Sequence, residues 1–182
     1  MGFDGKCNAA ATPGLRALVE QLIDDKALPS NEITEFRSQA ARANYLAADR
    51  IDLQLAAKEV CRYMSAPTET SVAAMKRLGR YLLGHKRLVW TYPHQRAEGT
   101  DVYSDTDWLG CPRTRKSTSG GCIMLGGHLL KAWSSTQGGI ALSSAEAEYY
   151  AMVDAATRGF GIKSLAAELG LKINVVLHTD SS

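Results

Sequence analysis

The sequence has no long run of apolar residues and no sign of a secretory leader. No apolar stretch approaches the ~18 residues that a membrane-spanning helix requires. Residues 1–11 lack the basic start and the apolar core that are typical of a signal peptide. These absences argue against a membrane partner and against secretion, so we expect an intracellular protein of the cytoplasm or the nucleus.

Cysteines are few and far apart. The chain has four, and no two of them form a Cys-x-x-Cys pair: Cys7, Cys61, Cys111 and Cys122. This spacing is typical neither of a disulfide framework nor of a zinc site. We therefore expect reduced thiols, as in an intracellular protein.

Composition bounds the size and the class of the protein. The chain has 182 residues, of which 45% are hydrophobic and 22% are charged, and its net charge is +2. These values are ordinary for a globular protein, and the apolar share argues against disorder. The length allows one medium-sized domain or two small ones.

The first half of the chain has the periodicity of helices. Apolar residues recur at helical spacing in three segments, and a fourth segment follows Pro67, where Thr68 can cap the first turn. Asp52 is a possible cap for the third of these helices. The four predicted helices span residues 14–26, 31–48, 52–64 and 68–84, within a helical region assigned to residues 1–94.

The second half has the pattern of a mixed α/β domain, assigned to residues 95–182. We predict strands at residues 102–104, 120–125, 128–134 and 173–178, and a long helix at residues 144–169. Gly126-Gly127 predicts a tight turn between the second and third strands, and Gly159 and Gly161 predict a break or kink in the helix. The helix crossover should place the last strand parallel to an earlier one.

A stripe of basic residues lies on the fourth predicted helix. Lys76, Arg77 and Arg80 fall on one side of it, and no acid occurs from residue 70 to residue 97. A stripe of one sign favours the phosphate backbone of a nucleic acid. A solvated helix face explains the same pattern equally well.

Acidic residues of the second half lie at the ends of the predicted elements. If the first and last strands are parallel neighbours, Asp105 and Asp180 emerge side by side. Glu146 fits a Ser-x-x-Glu capping box, in which it reaches back to the amide of the cap residue. Glu148 should face the sheet and is therefore the better ligand. Such oxygen ligands suit Mg²⁺ or Mn²⁺, although solvated acids at loop ends remain an alternative interpretation.

Several motifs resemble one family. Segments of the second half are similar to the ribonuclease H domain of copia-type retrotransposon polyproteins: residues 103–110 (YSDTDWLG), 115–126 (RKSTSGGCIMLG), 132–135 (AWSS) and 141–152 (ALSSAEAEYYAM). Upstream segments are similar to the thumb and connection region that follows the polymerase palm: residues 45–52 (YLAADRID), 62–69 (RYMSAPTE) and 74–84 (AMKRLGRYLLG). The resemblance covers nearly the whole chain.

The resemblance implies a fold, a reaction and a set of site residues. It implies a ribonuclease H-like sheet of three antiparallel strands, a helix crossover and a parallel fourth strand. Asp105, Glu148 and Asp180 match the family's acids, which bind two divalent cations, Mg²⁺ or Mn²⁺, and hydrolyse the RNA strand of an RNA–DNA hybrid. The implied partners are the hybrid and the remainder of the Pol polyprotein, and we add Arg115 and Lys116 to the basic residues expected to bind nucleic acid.

Three departures from the family pattern lead to a second hypothesis. The chain ends soon after Asp180, so we expect a truncated domain that lacks the family's fourth acid. It has no paired-aspartate polymerase motif, and Arg50-Ile51-Asp52 stands where the family usually has Arg-Pro-Asp. The alternative to an active hydrolase is therefore a non-catalytic, nucleic-acid-binding remnant of such a polyprotein.

Overall fold

The computed structural model describes residues 8–14, 25–96 and 99–180. The chain divides into two compact units, Met1–Val89 and Trp90–Ser182. The predicted boundary after residue 94, and the assignment of the first part to a thumb or connection region, stay predictions. No helix among the described residues is both long enough and apolar enough to cross a membrane.

Helices form the first unit. They are α1 (Ser30–Leu46), a short 3-10 helix (Ile51–Leu53), α2 (Gln54–Cys61) and α3 (Glu69–Gly84). Three of the predicted helices are therefore confirmed within a few residues, and the one predicted at 14–26 lies largely outside the described residues. Their apolar sides form a core that includes Phe36 and Ala40 of α1, Val60 of α2 and Met75 of α3.

Thr68 caps α3 as the sequence predicts. Its side chain accepts a hydrogen bond from the Ser71 amide at 3.3 Å, and the Ser71 side chain accepts one from the Thr68 amide at 2.9 Å. This reciprocal pair satisfies amides that the first helical turn leaves free.

The predicted helix cap at Asp52 is wrong. Asp52 lies within the 3-10 helix, and α2 begins without a side-chain cap. Its carboxylate instead binds the Arg50 guanidinium and accepts a hydrogen bond from the Tyr81 hydroxyl at 2.9 Å. A charged partner and a buried hydroxyl hold a carboxylate more strongly than a helix amide does, so the side chain turns inward.

A four-stranded mixed sheet and one long helix form the second unit. The strands are β1 (Gly99–Asp107), β2 (Thr118–Leu125), β3 (His128–Thr136) and β4 (Asn174–His178), in the spatial order β3-β2-β1-β4. β1 pairs antiparallel with β2 and parallel with β4, and β2 pairs antiparallel with β3. The predicted α/β class and the parallel last strand are confirmed.

The turn predicted at Gly126-Gly127 is confirmed, and a glutamine supports it. Gly126 has a positive φ of 54°, which favours glycine. The Gln95 amide brackets the turn: its Nε2 donates to the carbonyl of Leu125 at 2.6 Å, and its Oε1 accepts from the Gly127 amide at 2.9 Å. The segment before β1 is thereby fastened to the β2–β3 hairpin.

The long helix, α4 (Ser144–Glu168), is continuous. Of the break or kink predicted at Gly159 and Gly161, the break is therefore wrong. Small residues recur every four positions along its buried face: Ala147, Ala151, Ala155 and Gly159. A Cβ at Gly159 would lie 3.0 Å from Val102 Cγ2 and from Val175 Cγ1. The glycine thus lets the helix approach β1 and β4 closely, and this packing outweighs its low helix propensity.

Candidate metal centre and active site

Asp105 lies near the end of β1, opposite Gly120 of β2. Its carboxylate is exposed, and its Oδ1 accepts a hydrogen bond at 2.7 Å from the amide of the next residue, Thr106. Thr106 is fixed in turn, because its hydroxyl donates to the carbonyl of Thr118 at 3.0 Å. The second strand therefore holds the main chain that carries the first acid.

Asp180 follows β4, and the parallel pairing explains why it lies near Asp105. In that register Tyr103 of β1 pairs with His178 of β4. Asp105 and Asp180 each come two residues after this pair, so both lie at the C-terminal end of the two parallel strands. The prediction that these two carboxylates lie side by side is confirmed.

Glu148 reaches the same place from α4. Ser143 caps this helix, since its Oγ accepts a hydrogen bond from the Glu146 amide at 3.1 Å. The Ala147 and Ala151 methyl groups are buried against the sheet, and Glu148 is half-buried beside them. One of its carboxylate oxygens, Oε2, is buried and has no hydrogen-bond partner among the described residues.

The three carboxylates form one cluster. Asp105, Glu148 and Asp180 each place an oxygen within 4.8 Å of the others. Burial, and then the negative charges of Asp105 and Asp180, raise the pKa of Glu148, while a hydrogen bond from the Thr106 backbone opposes this rise. Acids held this close repel one another unless a cation lies between them. The negative charge of the cluster therefore favours the binding of a cation.

The donor set fits Mg²⁺ or Mn²⁺. Carboxylate oxygens are the hard ligands that these ions prefer, and no histidine or cysteine belongs to the cluster found among the described residues. The unpartnered Oε2 of Glu148 supplies a buried oxygen without a competing hydrogen bond. The binding of an ion by these three residues stays a prediction.

The neighbouring acids have other roles. Glu146 Oε2 accepts a hydrogen bond from the Leu142 amide at 2.7 Å, and Glu146 Oε1 accepts one from the Tyr150 hydroxyl at 3.0 Å. Its structural role is as expected, although the amide it binds precedes the cap residue by one position. Asp107 lies outside the described cluster, with its carboxylate against Gly110.

The three basic residues of α3 that are expected to bind nucleic acid differ in their exposure and in their hydrogen-bond partners. Lys76 is exposed on α3. Arg77 Nη2 donates to Thr12 Oγ1 at 2.7 Å, and Arg80 Nε donates to the Asn8 carbonyl at 2.7 Å. These two arginines thus fasten the segment of residues 8–14 to α3, a structural role that the charge pattern did not reveal.

In the second unit, Arg115 and Lys116 lie in the loop between β1 and β2. Arg115 is exposed and adopts a positive φ of 56°. The Lys116 ammonium donates to the carbonyl of Gly138. The role of Arg115 and Lys116 in nucleic-acid binding stays a prediction, as does that of the three basic residues on α3.

Sequence reasoning missed one group beside the acids, Gln137, and interpreted His178 as a packing or polar-edge residue of the last strand. Gln137 is buried between the sheet and α4, where its amide contacts the residues next to Asp105 and Glu148. His178 hydrogen-bonds Asp101 at 2.8 Å and stacks on Tyr103. Gln137 has no sequence signal, because a single uncharged amide is an ordinary surface residue by type.

The strand order, the crossover helix and the acid cluster define a ribonuclease H-like α/β protein. Neither a known protein-family model nor a solved structure matches the chain. Curated relatives do match it. The chain is 34% identical over 140 residues to the retrovirus-related Pol polyprotein from transposon RE1 of Arabidopsis thaliana, and 34% identical over 141 residues to that from transposon RE2.

These alignments cover 77% and 78% of this chain but 10% of each polyprotein. The chain is also 33% identical over 120 residues to an uncharacterized mitochondrial protein of the same plant, covering 65% of this chain and 50% of that protein. The chain belongs to the Pol polyproteins of copia-type retrotransposons and spans about a tenth of the length of the first two relatives.

Proposed function

We propose that this retroelement-derived chain hydrolyses the RNA strand of RNA–DNA hybrids. The observation that carries the proposal is the cluster of Asp105, Glu148 and Asp180 within 4.8 Å. The three acids come from β1, α4 and the residue pair after β4, which lie far apart in the sequence. A ribonuclease H-like sheet that brings acids together at one edge suits the hydrolysis of a phosphodiester.

Asp105, Glu148 and Asp180 would hold the divalent cations, Mg²⁺ or Mn²⁺. When bound, such ions activate water and stabilise the leaving oxygen of a phosphodiester. The chain's own residues set the geometry of the ligands. The Thr106 amide orients one oxygen of Asp105, and the packing of α4 on the sheet keeps an oxygen of Glu148 out of water.

The hybrid would approach the site from the ends of β1 and β4, where Asp105 and Asp180 are exposed. Arg115 is exposed on the loop that follows β1, and its guanidinium suits the phosphates of a nucleic-acid backbone. The remainder of a Pol polyprotein is the other partner that we infer, because the relatives are about ten times longer than the matched segment.

Cleavage of a labelled RNA–DNA hybrid by the purified chain tests the proposal. Reactions contain Mg²⁺, Mn²⁺ or EDTA, and the variants are Glu148→Gln and Glu146→Gln. We expect cutting of the RNA strand that requires the cation, is lost in Glu148→Gln by a factor of at least about 100 and persists in Glu146→Gln. The second variant is a matched control, because Glu146 lies two residues away and binds the helix start instead.

The absence of cation-dependent cutting by a chain with the expected helix and strand content would overturn the proposal. Binding of the uncut hybrid that weakens steeply with salt and needs no cation would then favour the non-catalytic alternative.

A further inference from the structure

Gln137 occupies a buried position where β3, β2, β1 and α4 come together. It directly follows β3, and 9% of its surface is exposed. Its backbone amide donates to the Ser117 carbonyl at 2.9 Å, just before β2. The main chain of Gln137 is thus tied to the sheet, and its side chain extends under the strands towards the helix.

The side-chain amide of Gln137 contacts the neighbours of two of the clustered acids. Nε2 lies 2.9 Å from the Ala147 carbonyl, 3.0 Å from Ser119 Oγ and 3.4 Å from Thr106 Oγ1. Ala147 directly precedes Glu148, and Thr106 directly follows Asp105. One buried amide therefore links the peptide that carries the helix acid to the strand that carries the first acid.

The orientation of this amide is determined by its partners. A backbone carbonyl only accepts hydrogen bonds, so the NH₂ end must face Ala147. Nε2 has two hydrogens, which can be donated to the two nearer acceptors, the Ala147 carbonyl and Ser119 Oγ. Thr106 Oγ1, at 3.4 Å, is a third and more distant acceptor. The other end, Oε1, is buried and has no partner among the described residues. An apolar side chain of the same length would lose all three contacts.

We propose that Gln137 is a positioning residue that sets the separation of Asp105 and Glu148, and thereby the affinity of the site for divalent cations. This inference rests on the proposed function, since it concerns the same carboxylates. Residues that orient metal ligands without touching the metal commonly change metal affinity by 10-fold or more when replaced. Gln137 contacts the main chain beside Glu148 and the side-chain hydroxyl beside Asp105, and it does not contact the carboxylates themselves.

The test is a Mn²⁺ titration of the full chain, followed by the electron paramagnetic resonance signal of free Mn²⁺. The variant is Gln137→Met, which keeps the length of the side chain and removes its hydrogen bonds. The matched control is Gln95→Met, which also removes two side-chain hydrogen bonds of a glutamine in the second unit. Gln95 binds the hairpin turn at Leu125, which pairs with Thr100 at the opposite end of β1 from Asp105.

We expect Gln137→Met to weaken Mn²⁺ binding by about 10-fold, and Gln95→Met to bind as the wild type does. Thermal melts of both variants report their loss of stability separately. A Gln137→Met chain that is less stable but has wild-type affinity for Mn²⁺ would overturn the positioning role and leave the proposed function intact. A wild-type chain that binds no Mn²⁺ and cuts no hybrid would overturn both.

If Gln137→Met does not fold, Gln137→Asn replaces it. This variant keeps the amide but is shorter by one methylene group, so it no longer reaches Ala147 from the same main-chain position. Weaker Mn²⁺ binding supports the positioning role, and wild-type affinity overturns it.

Discussion

Arg50 binds Asp52 at two points, with Nε 2.9 Å from Oδ1 and Nη2 2.7 Å from Oδ2. The arginine is buried, and the carboxylate also accepts the hydroxyl of Tyr81. The hydrogen bond from Arg50 is the main cause that lowers the pKa of Asp52, although partial burial opposes it. Through the Tyr81 hydroxyl, the ion pair also links the 3-10 helix to α3.

Replacing Arg50 with Met should destabilise the chain by about 2–3 kcal/mol, because charged hydrogen bonds are lost and Asp52 keeps its charge. A carboxyl with a lowered pKa contributes stability above its unfolded pKa and loses it as the pH falls through the folded pKa. The difference between wild type and Arg50→Met should therefore shrink below about pH 4. Urea unfolding at several pH values measures it.

Glu59→Gln is the control for this experiment. Glu59 pairs with Arg62 at 3.0 Å on the surface of α2, and its side chain is 41% exposed. Exposed pairs of this kind contribute less than about 1 kcal/mol. Equal losses in Arg50→Met and Glu59→Gln would contradict the special contribution of the buried pair.

Two glycines of α4 should respond in opposite directions to alanine. At Gly159 the added Cβ meets two rigid β-branched side chains at 3.0 Å, whereas at Gly161 it meets nothing within 4 Å. Alanine gains up to about 1 kcal/mol of helix propensity at either position, but overpacking costs about 1–3 kcal/mol.

We therefore expect Gly159→Ala to destabilise the second unit by about 1 kcal/mol and Gly161→Ala to stabilise it by a similar amount. Thermal or urea unfolding of both variants measures these changes. If both substitutions stabilise the protein, the close contact of α4 with β1 and β4 is not the reason for glycine at position 159.

Neutralising Glu148 should stabilise the cation-free protein. Burial and two neighbouring negative charges disfavour its ionised form, and Gln keeps an oxygen that can accept from the Thr106 backbone. For Glu148→Gln at neutral pH we expect a melting temperature higher by about 2–4 °C, the shift that ~1 kcal/mol gives in a chain of this size.

This gain should depend on pH. An acid with a raised pKa favours the folded state most below its unfolded pKa, and this contribution is lost as the pH rises through the folded pKa. The stabilisation by Glu148→Gln should thus vanish near about pH 4. Glu146→Gln, which weakens the bond to the Leu142 amide, should lower the melting temperature instead; a fall in both variants would contradict the repulsion.

Binding of Mn²⁺ should weaken as the pH falls, beginning at a higher pH than an ordinary glutamate would give. Protons compete with the cation for Glu148, whose pKa is raised, and the affinity falls by up to about 10-fold per pH unit below that pKa. Mn²⁺ titrations between about pH 5 and pH 8 measure this dependence. An affinity that does not change over this range would contradict it.

The sequence was sufficient wherever a local rule determined the structure. The turn at Gly126-Gly127 could be predicted because a tight turn needs a backbone conformation that favours glycine. The helix caps at Thr68 and Ser143 could be predicted because the free amides of a first helical turn need short polar side chains. Glu148 was distinguished from Glu146 by their different faces on one helix. The parallel pairing of β4 with β1, inferred from the crossover rule, brought Asp180 to Asp105.

Where tertiary contacts decide, the sequence was insufficient. Asp52 has the residue type of a cap but is drawn to Arg50 and Tyr81, and Gly159 has the residue type of a helix breaker but fills a narrow gap against Val102. Arg77 and Arg80 bind residues 8–14, and their charge pattern does not indicate this contact. Gln137 has no local signal, since its partners come from three other elements.

The pairing of β4 with β1 also determines the order in which the parts of the site can form during folding. The β1-β2-β3 part of the sheet joins neighbouring segments, so little loop entropy opposes it, whereas β4 must close a loop of about 75 residues to reach β1. Asp105 is therefore synthesised well before Glu148 and Asp180, the other two acids of the cluster. The cluster of acids is completed only when the last of these pairings forms, so a nascent chain cannot assemble this site until residue 180 has been synthesised.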